Sequence, residues 1–144
     1  MRLQFVAAIG AMIMLGASSA LYAQGAMRSI WDGTFTSAQA DKGKALYVDK
    51  CAKCHGGTLD GNDEIPALKG SNFMADWETQ SVGELINRVR TTMPIDDPGT
   101  LSTESTISIV SYMLQQNGLP TGSAELNVGT ASQIRIDAEK PSDR

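Results

Sequence analysis

The segment Cys51-Ala52-Lys53-Cys54-His55 gathers into five positions both cysteines and the single histidine of a 144-residue chain. Two thiols three residues apart lie on about one turn of helix. Each can add to a vinyl group of one porphyrin, which leaves the adjacent imidazole beneath the ring plane as an axial iron ligand. Other uses of two thiols need partners that this sequence lacks. A redox dithiol of thioredoxin type sits in a βαβ pattern, and none is visible. A structural zinc site takes four ligands drawn mainly from cysteine and histidine, and the chain has only three such residues. The motif therefore predicts one covalently attached haem c, held by Cys51 and Cys54 with His55 on the metal. A chain built this way folds around a large flat apolar group. A domain of this size buries a modest share of its surface by itself, so the porphyrin supplies part of the core and its loss should unfold the protein.

The start of the chain has the order of a secretory signal. Arg2 precedes an apolar run from Leu3 to Gly16, interrupted by Gln4 and small residues, and the run ends in Ala17-Ser18-Ser19-Ala20-Leu21-Tyr22-Ala23. Cleavage follows Ala20 or Ala23. The apolar core is shorter than the ~20 residues a membrane span requires, and no charged stop follows. Residues 1–23 are thus expected to leave as a signal peptide, giving a periplasmic chain without a membrane span and long enough for one domain. A formal net charge of −4 excludes nucleic-acid binding by counterion release. Redox protein partners with a basic or an apolar patch suit it better.

Helix signals occur in three places, and no alternating strand pattern competes with them. Thr36-Ser37-Ala38-Gln39 has capping-box form, and Gly43, Leu46, Tyr47 and Cys51 follow on one helical face, so the first helix runs into the haem motif. Ser81-Val82-Gly83-Glu84 repeats the box, with Val82, Leu85, Ile86 and Val89 as an apolar stripe, and this helix should stop before Met93-Pro94. Ser102 caps a third, whose face carries Ile107, Val110 and Leu114, with Gly118 and Pro120 where a helix ends. Gly56 to Gly70, with Pro66, reads as irregular chain over one face of the cofactor, and Asp96 to Thr100 reads as a turn. The resulting organisation is a leader (1–23), an N-terminal arm (24–36), a haem unit (37–118) and a C-terminal extension (119–144). Both flanks are polar enough to be extended or partly ordered.

With one histidine, a second imidazole is impossible within a monomer, so the sixth iron ligand is methionine, lysine, a terminal amine, water or nothing. Of seven methionines, Met1, Met12 and Met14 leave with the leader and Met27 lies in the arm. Met113 sits among apolar neighbours on the third helix, where a flexible thioether fills core. Met74, near Trp77, and Met93, in a loop fixed by Pro94, remain as ligand candidates. The loop position of Met93 opposes the helix-borne imidazole.

From Ala38 to Gly118 the chain resembles the class I monohaem cytochromes c. The likeness is carried by Gly43 and Tyr47 ahead of Cys-x-x-Cys-His, by Ile65-Pro66-Ala67-Leu68, by Thr92-Met93-Pro94 and by a last helix with Tyr112. It implies an all-α fold of three to four helices wrapped around the haem, with Gly43 where the first helix crosses the last and Tyr47 packed on Tyr112. It also implies that the Pro66 carbonyl accepts the His55 ring proton, that Met93 is the sixth ligand, and that Trp77 reaches a haem propionate. Arg88 and Arg90 could pair with propionates, although solvated helix charges explain them as well.

The flanks carry a narrower likeness. Ser29 to Thr36, Ala124-Glu125-Leu126 and Gln133-Ile134-Arg135-Ile136 are similar to bacterial cytochromes associated with pyrroloquinoline-quinone-dependent alcohol dehydrogenases. Imidazole and thioether together would leave iron no open position, which suits an electron carrier and not an enzyme in its own right. The flank likeness implies that the chain takes electrons from such a dehydrogenase, or serves as a subunit of one, and passes them to the respiratory chain. The competing expectation is a haem catalyst or gas sensor with an open or labile sixth site.

Overall fold

The computed structural model describes residues 27–142. The leader expected at residues 1–23 and the first residues of the arm lie outside the described residues, as do Asp143 and Arg144. In chain order the elements are β1 (Arg28–Ser29), a 3-10 turn (Ile30–Asp32), α1 (Ser37–Lys50), α2 (Ala52–His55), α3 (Ser71–Trp77), α4 (Val82–Thr92), α5 (Thr103–Gln116), α6 (Val128–Ala131) and β2 (Ile134–Arg135). This is a small, mostly helical fold.

The three long helices begin where their caps dictate. The Thr36 hydroxyl accepts the Gln39 N–H while the Gln39 side chain accepts the Thr36 N–H, and Ser81 and Glu84 make the same reciprocal pair at α4. Ser102 caps α5 through the Ser105 N–H. Each cap satisfies backbone donors that a helix start leaves without partners, worth about 1 kcal/mol. Helix α5 is buried from Thr106 to Leu114. Its three buried hydroxyls are satisfied locally: Thr106, Ser108 and Ser111 donate to the carbonyls of Ser102, Glu104 and Ile107 at 3.0, 3.0 and 2.9 Å.

Helices α1 and α5 cross in backbone contact. A Cβ added to Gly43 would lie 1.8 Å from the Ser108 carbonyl oxygen, so only glycine permits this approach. One turn further along, the Tyr47 and Tyr112 rings meet at 5.4 Å with a 53° tilt, an arrangement that aromatic quadrupoles favour. The crossing fixes the end of α1, and with it Cys51.

The flanks are more ordered than their composition suggests. β1 pairs in parallel with β2, Arg28 opposite Ile134 and Ser29 opposite Arg135. Ile136 joins the segment before α4 through Thr79 N–H to Ile136 O (2.9 Å) and Ile136 N–H to Gln80 O (2.8 Å). The Trp31 indole N–H donates to the Asp137 carbonyl at 3.0 Å, and Ser29 Oγ donates to the Asp137 carboxylate. Gln39, already part of the α1 cap, clamps both backbone groups of Leu126 at 2.8 and 2.9 Å. Ile30, Phe35, Leu126, Ile134 and Ile136 are all buried in the common core. Arm and extension thus form a clasp across the haem unit, where the sequence suggested partly ordered tails. The physical reason is that single apolar residues in a polar segment suffice once a neighbouring strand covers them.

Replacing Gly43 by alanine should destabilise the haem-loaded protein by about 2–3 kcal/mol or more. The alanine gains up to ~1 kcal/mol of helix propensity, too little to offset a clash with backbone. Gly57, with no atom within 4 Å of an added Cβ, should accept alanine with little change. Denaturant unfolding of the two variants checks this.

Candidate haem site

The motif is presented by a short local construction. Cys51 ends α1, its N–H on the Tyr47 carbonyl at 2.8 Å, and α2 is a single turn in which the Cys54 and His55 N–H groups reach the Cys51 carbonyl at 3.1 and 3.0 Å. Cys51 is half-buried and Cys54 is exposed. Gly56, with φ of +77°, turns the chain away. Its carbonyl accepts the Tyr47 hydroxyl at 2.7 Å. Burial, and then the neighbouring Cys51, push the Tyr47 phenol up to about 12.

His55 is 9 % exposed, and its Nδ1 lies 2.9 Å from the Pro66 carbonyl oxygen. A carbonyl only accepts, so Nδ1 carries the proton and Nε2 is left with its lone pair for a metal. The loop that brings Pro66 there is folded on itself. The Gly61 N–H donates to His55 O at 3.0 Å and the Asn62 N–H to Ile65 O at 2.8 Å. Gly61, at φ +62°, leaves no room for a Cβ, which would lie 2.2 Å from Ile65 O.

Cys51, Cys54, His55, Pro66, Trp77 and Met93 all line one open cleft of about 1530 Å³, above the ~300–1,000 Å³ of a drug-sized pocket. Its walls include the buried Leu85, Ile86, Ile109 and Met113. Two thiols at one rim, an imidazole in the metal-binding tautomer, and apolar walls are the donor set and surface that a covalently bound haem c requires. Met74 is buried elsewhere, outside the lining. Trp77 stands beside Phe73, ring centres 6.5 Å apart, and Arg88 and Arg90 are exposed along the cleft rim.

Sequence reasoning missed one wall. Val128, Ala131 and Ser132, in and just after α6, also line the cleft. Ser132 packs so closely on α4 that a Cβ on Gly83 would lie 3.0 Å from its N. A helix of four residues shows no periodicity. The available signal was Asn127, whose side chain caps Thr130.

Three comparisons bear on this site. The sequence profile of the family described as cytochrome C oxidase, cbb3-type, subunit III matches residues 38–113. A thiosulfate dehydrogenase of Psychrobacter arcticus is 32% identical over 79 residues, covering 50% of this chain and 24% of that protein, so the match spans about a quarter of the relative's length. The crystal structure of the sulfane dehydrogenase SoxCD from Paracoccus pantotrophus superposes with a TM-score of 0.54 at 25% identity, covering 74% of this chain and 61% of that one.

The raised Tyr47 value makes a pH prediction for the haem-loaded protein, in which the cysteine sulfurs no longer titrate. Burial alone still holds the phenol above the ordinary 10.0 there, so the stability Tyr47 contributes is complete below pH 10 and is lost as pH rises beyond it. Wild type should exceed Tyr47→Phe by about 1 kcal/mol at pH 8, and the gap should close across that window. Unfolding midpoints from pH 8 to 12 check this, and a constant gap would contradict it.

Proposed function

The chain belongs to the cytochrome c oxidase, cbb3-type, subunit III family, and from that premise we propose that it is a periplasmic one-electron carrier whose haem iron is held between His55 and Met93. The observation that carries this reading is that His55 and Met93 line the same cleft, whereas Met74 does not. Pro94 supports it by fixing the backbone after Met93 while leaving the thioether free. The run Leu3 to Ala23 supports export, and no helix among the described residues is long and apolar enough to cross a membrane.

The haem, when bound, supplies reversible one-electron exchange between ferric and ferrous iron. The residues around it keep that exchange simple. Pro66 O holds the His55 ring in one orientation and makes its Nε2 more basic. With Met93 as the second protein ligand, the iron would keep one ligand set in both oxidation states and would offer small molecules no open position. The buried Leu85, Ile86, Ile109 and Met113 line the cleft and would keep water from a haem held there, which would raise its potential relative to an open site. Trp77 and the rim arginines are candidates for the propionates.

The donor is a dehydrogenase, with a respiratory-chain cytochrome or oxidase as acceptor. Residues Ser29 to Thr36 and Gln133 to Ile136, similar to cytochromes associated with quinone-cofactor alcohol dehydrogenases, favour that class. The names of the two relatives favour a second donor, a dehydrogenase of inorganic sulfur compounds. Mixing the oxidised, haem-loaded protein with each enzyme and its substrate, and following haem reduction, decides between them.

The ferrous wild-type protein should resist carbon monoxide, and Met93→Ala should bind it rapidly and show a lower potential. Met74→Ala should change neither. Rapid binding by wild type would favour a haem catalyst or gas sensor instead.

A further inference from the structure

Pro66 contributes no N–H hydrogen bond of its own, so the position of its carbonyl depends on the residues that flank it. On the C-terminal side those neighbours are held by one side chain, Asn117, which is 49 residues from Leu68 and 47 from Gly70 in sequence. Its Nδ2 donates to the Leu68 carbonyl at 3.1 Å and to the Met113 carbonyl at 2.8 Å, and its Oδ1 accepts the Gly70 N–H at 2.9 Å. Two carbonyls on one end and an N–H on the other allow a single orientation of the amide. The Leu68 N–H is bonded in turn to Leu59 O at 2.8 Å, and Leu59 is fully buried.

The cap of α5 does not need this side chain. The Asn117 backbone N–H already reaches the carbonyls at the helix end, and Gly118, at φ +78°, makes the left-handed exit. The side-chain amide is therefore free to serve the loop. Its bond to Met113 O ties the loop to a helix whose residues Ile109 and Met113 line the haem cleft. Lys69 and Asp60 add a bridge at 3.2 Å, but Asp60 is largely exposed, and such pairs are screened and weak.

We propose that Asn117 is a positioning residue for the haem iron. By holding Leu68 and Gly70 against the end of α5, it keeps the Pro66 carbonyl at hydrogen-bond distance from His55 Nδ1 and so sets the basicity of the iron ligand. The inference rests on His55 as that ligand, and it is independent of Met93 and of the donor. Substituting Pro66 cannot test the bond, because every residue carries a carbonyl. Asn117 gives access to it.

The test compares haem-loaded wild type, Asn117→Ala and Thr36→Ala, the last removing the α1 cap, remote in sequence from the loop, as a control for lowered stability. Three quantities are read: thermal midpoint, reduction potential, and hydrogen exchange of the His55 Nδ1–H in the ferrous protein. Asn117→Ala should exchange that proton on the order of tenfold faster, the factor expected when hydrogen bonds holding a local segment are lost. Its potential should move upward, because a weaker bond to Pro66 makes a less basic imidazole that favours ferric iron less. Thr36→Ala should lower the midpoint and leave the other two unchanged. Equal exchange and potential in Asn117→Ala and wild type would overturn the proposal and leave Asn117 as a loop staple. Carbon monoxide binding by the same wild-type sample would sink the carrier reading separately, with the Asn117 comparison still readable.

Discussion

Backbone touches backbone where α1 crosses α5 at Gly43, and the rest of the molecule is built outward from that contact. A helix crossing at that closeness leaves no slack along α1. The single turn that follows carries Cys51, Cys54 and His55 in a fixed relation to the buried α5. The tyrosine pair adds a second point, since Tyr47 packs on Tyr112 and its hydroxyl reaches past the motif to Gly56. The crossing and the tyrosine pair together fix where the haem motif sits.

The other half of the site has no regular structure to lean on. Residues 56–70 are held by hydrogen bonds of their own: Gly61 to His55, Asn62 to Ile65, Leu68 to Leu59, and both ends of the Asn117 amide. Loop backbone has to find partners one group at a time. Here those partners converge on the carbonyl that faces His55. The terminal clasp performs a similar service across α4, where Ile136, Gln80 and the β1–β2 pair hold the segment whose Val128, Ala131 and Ser132 close one side of the cleft.

Long elements and local chemistry were legible in the sequence. The capping boxes at Thr36 and Ser81 and the cap at Ser102 mark the observed helix starts, and Pro94 marks the end of α4. The attachment motif named its cofactor because five consecutive positions contain all the chemistry. Pro66 became visible only through family resemblance, since nothing local distinguishes it from an ordinary loop proline. The clasp was not legible: Ile30, Phe35, Leu126, Ile134 and Ile136 stand singly among polar residues, and a two-residue parallel pair joining Arg28 to Ile134 leaves no periodic trace. Asn117 was hidden for a related reason. Its position beside Gly118 is that of a helix end, and only the tertiary fold brings Leu68 and Gly70 to it.

Iron closed by one imidazole and one thioether is the state on which electron transfer without ligand exchange depends. Proton NMR of the ferrous, haem-loaded protein, with selectively labelled methionine, reads it directly, because a methyl group bound above a porphyrin is displaced far upfield by the ring current. One such resonance, assigned to Met93 by its disappearance in Met93→Leu, is the predicted result. No displaced methyl, or one that belongs to Met74 or Met113, would contradict it.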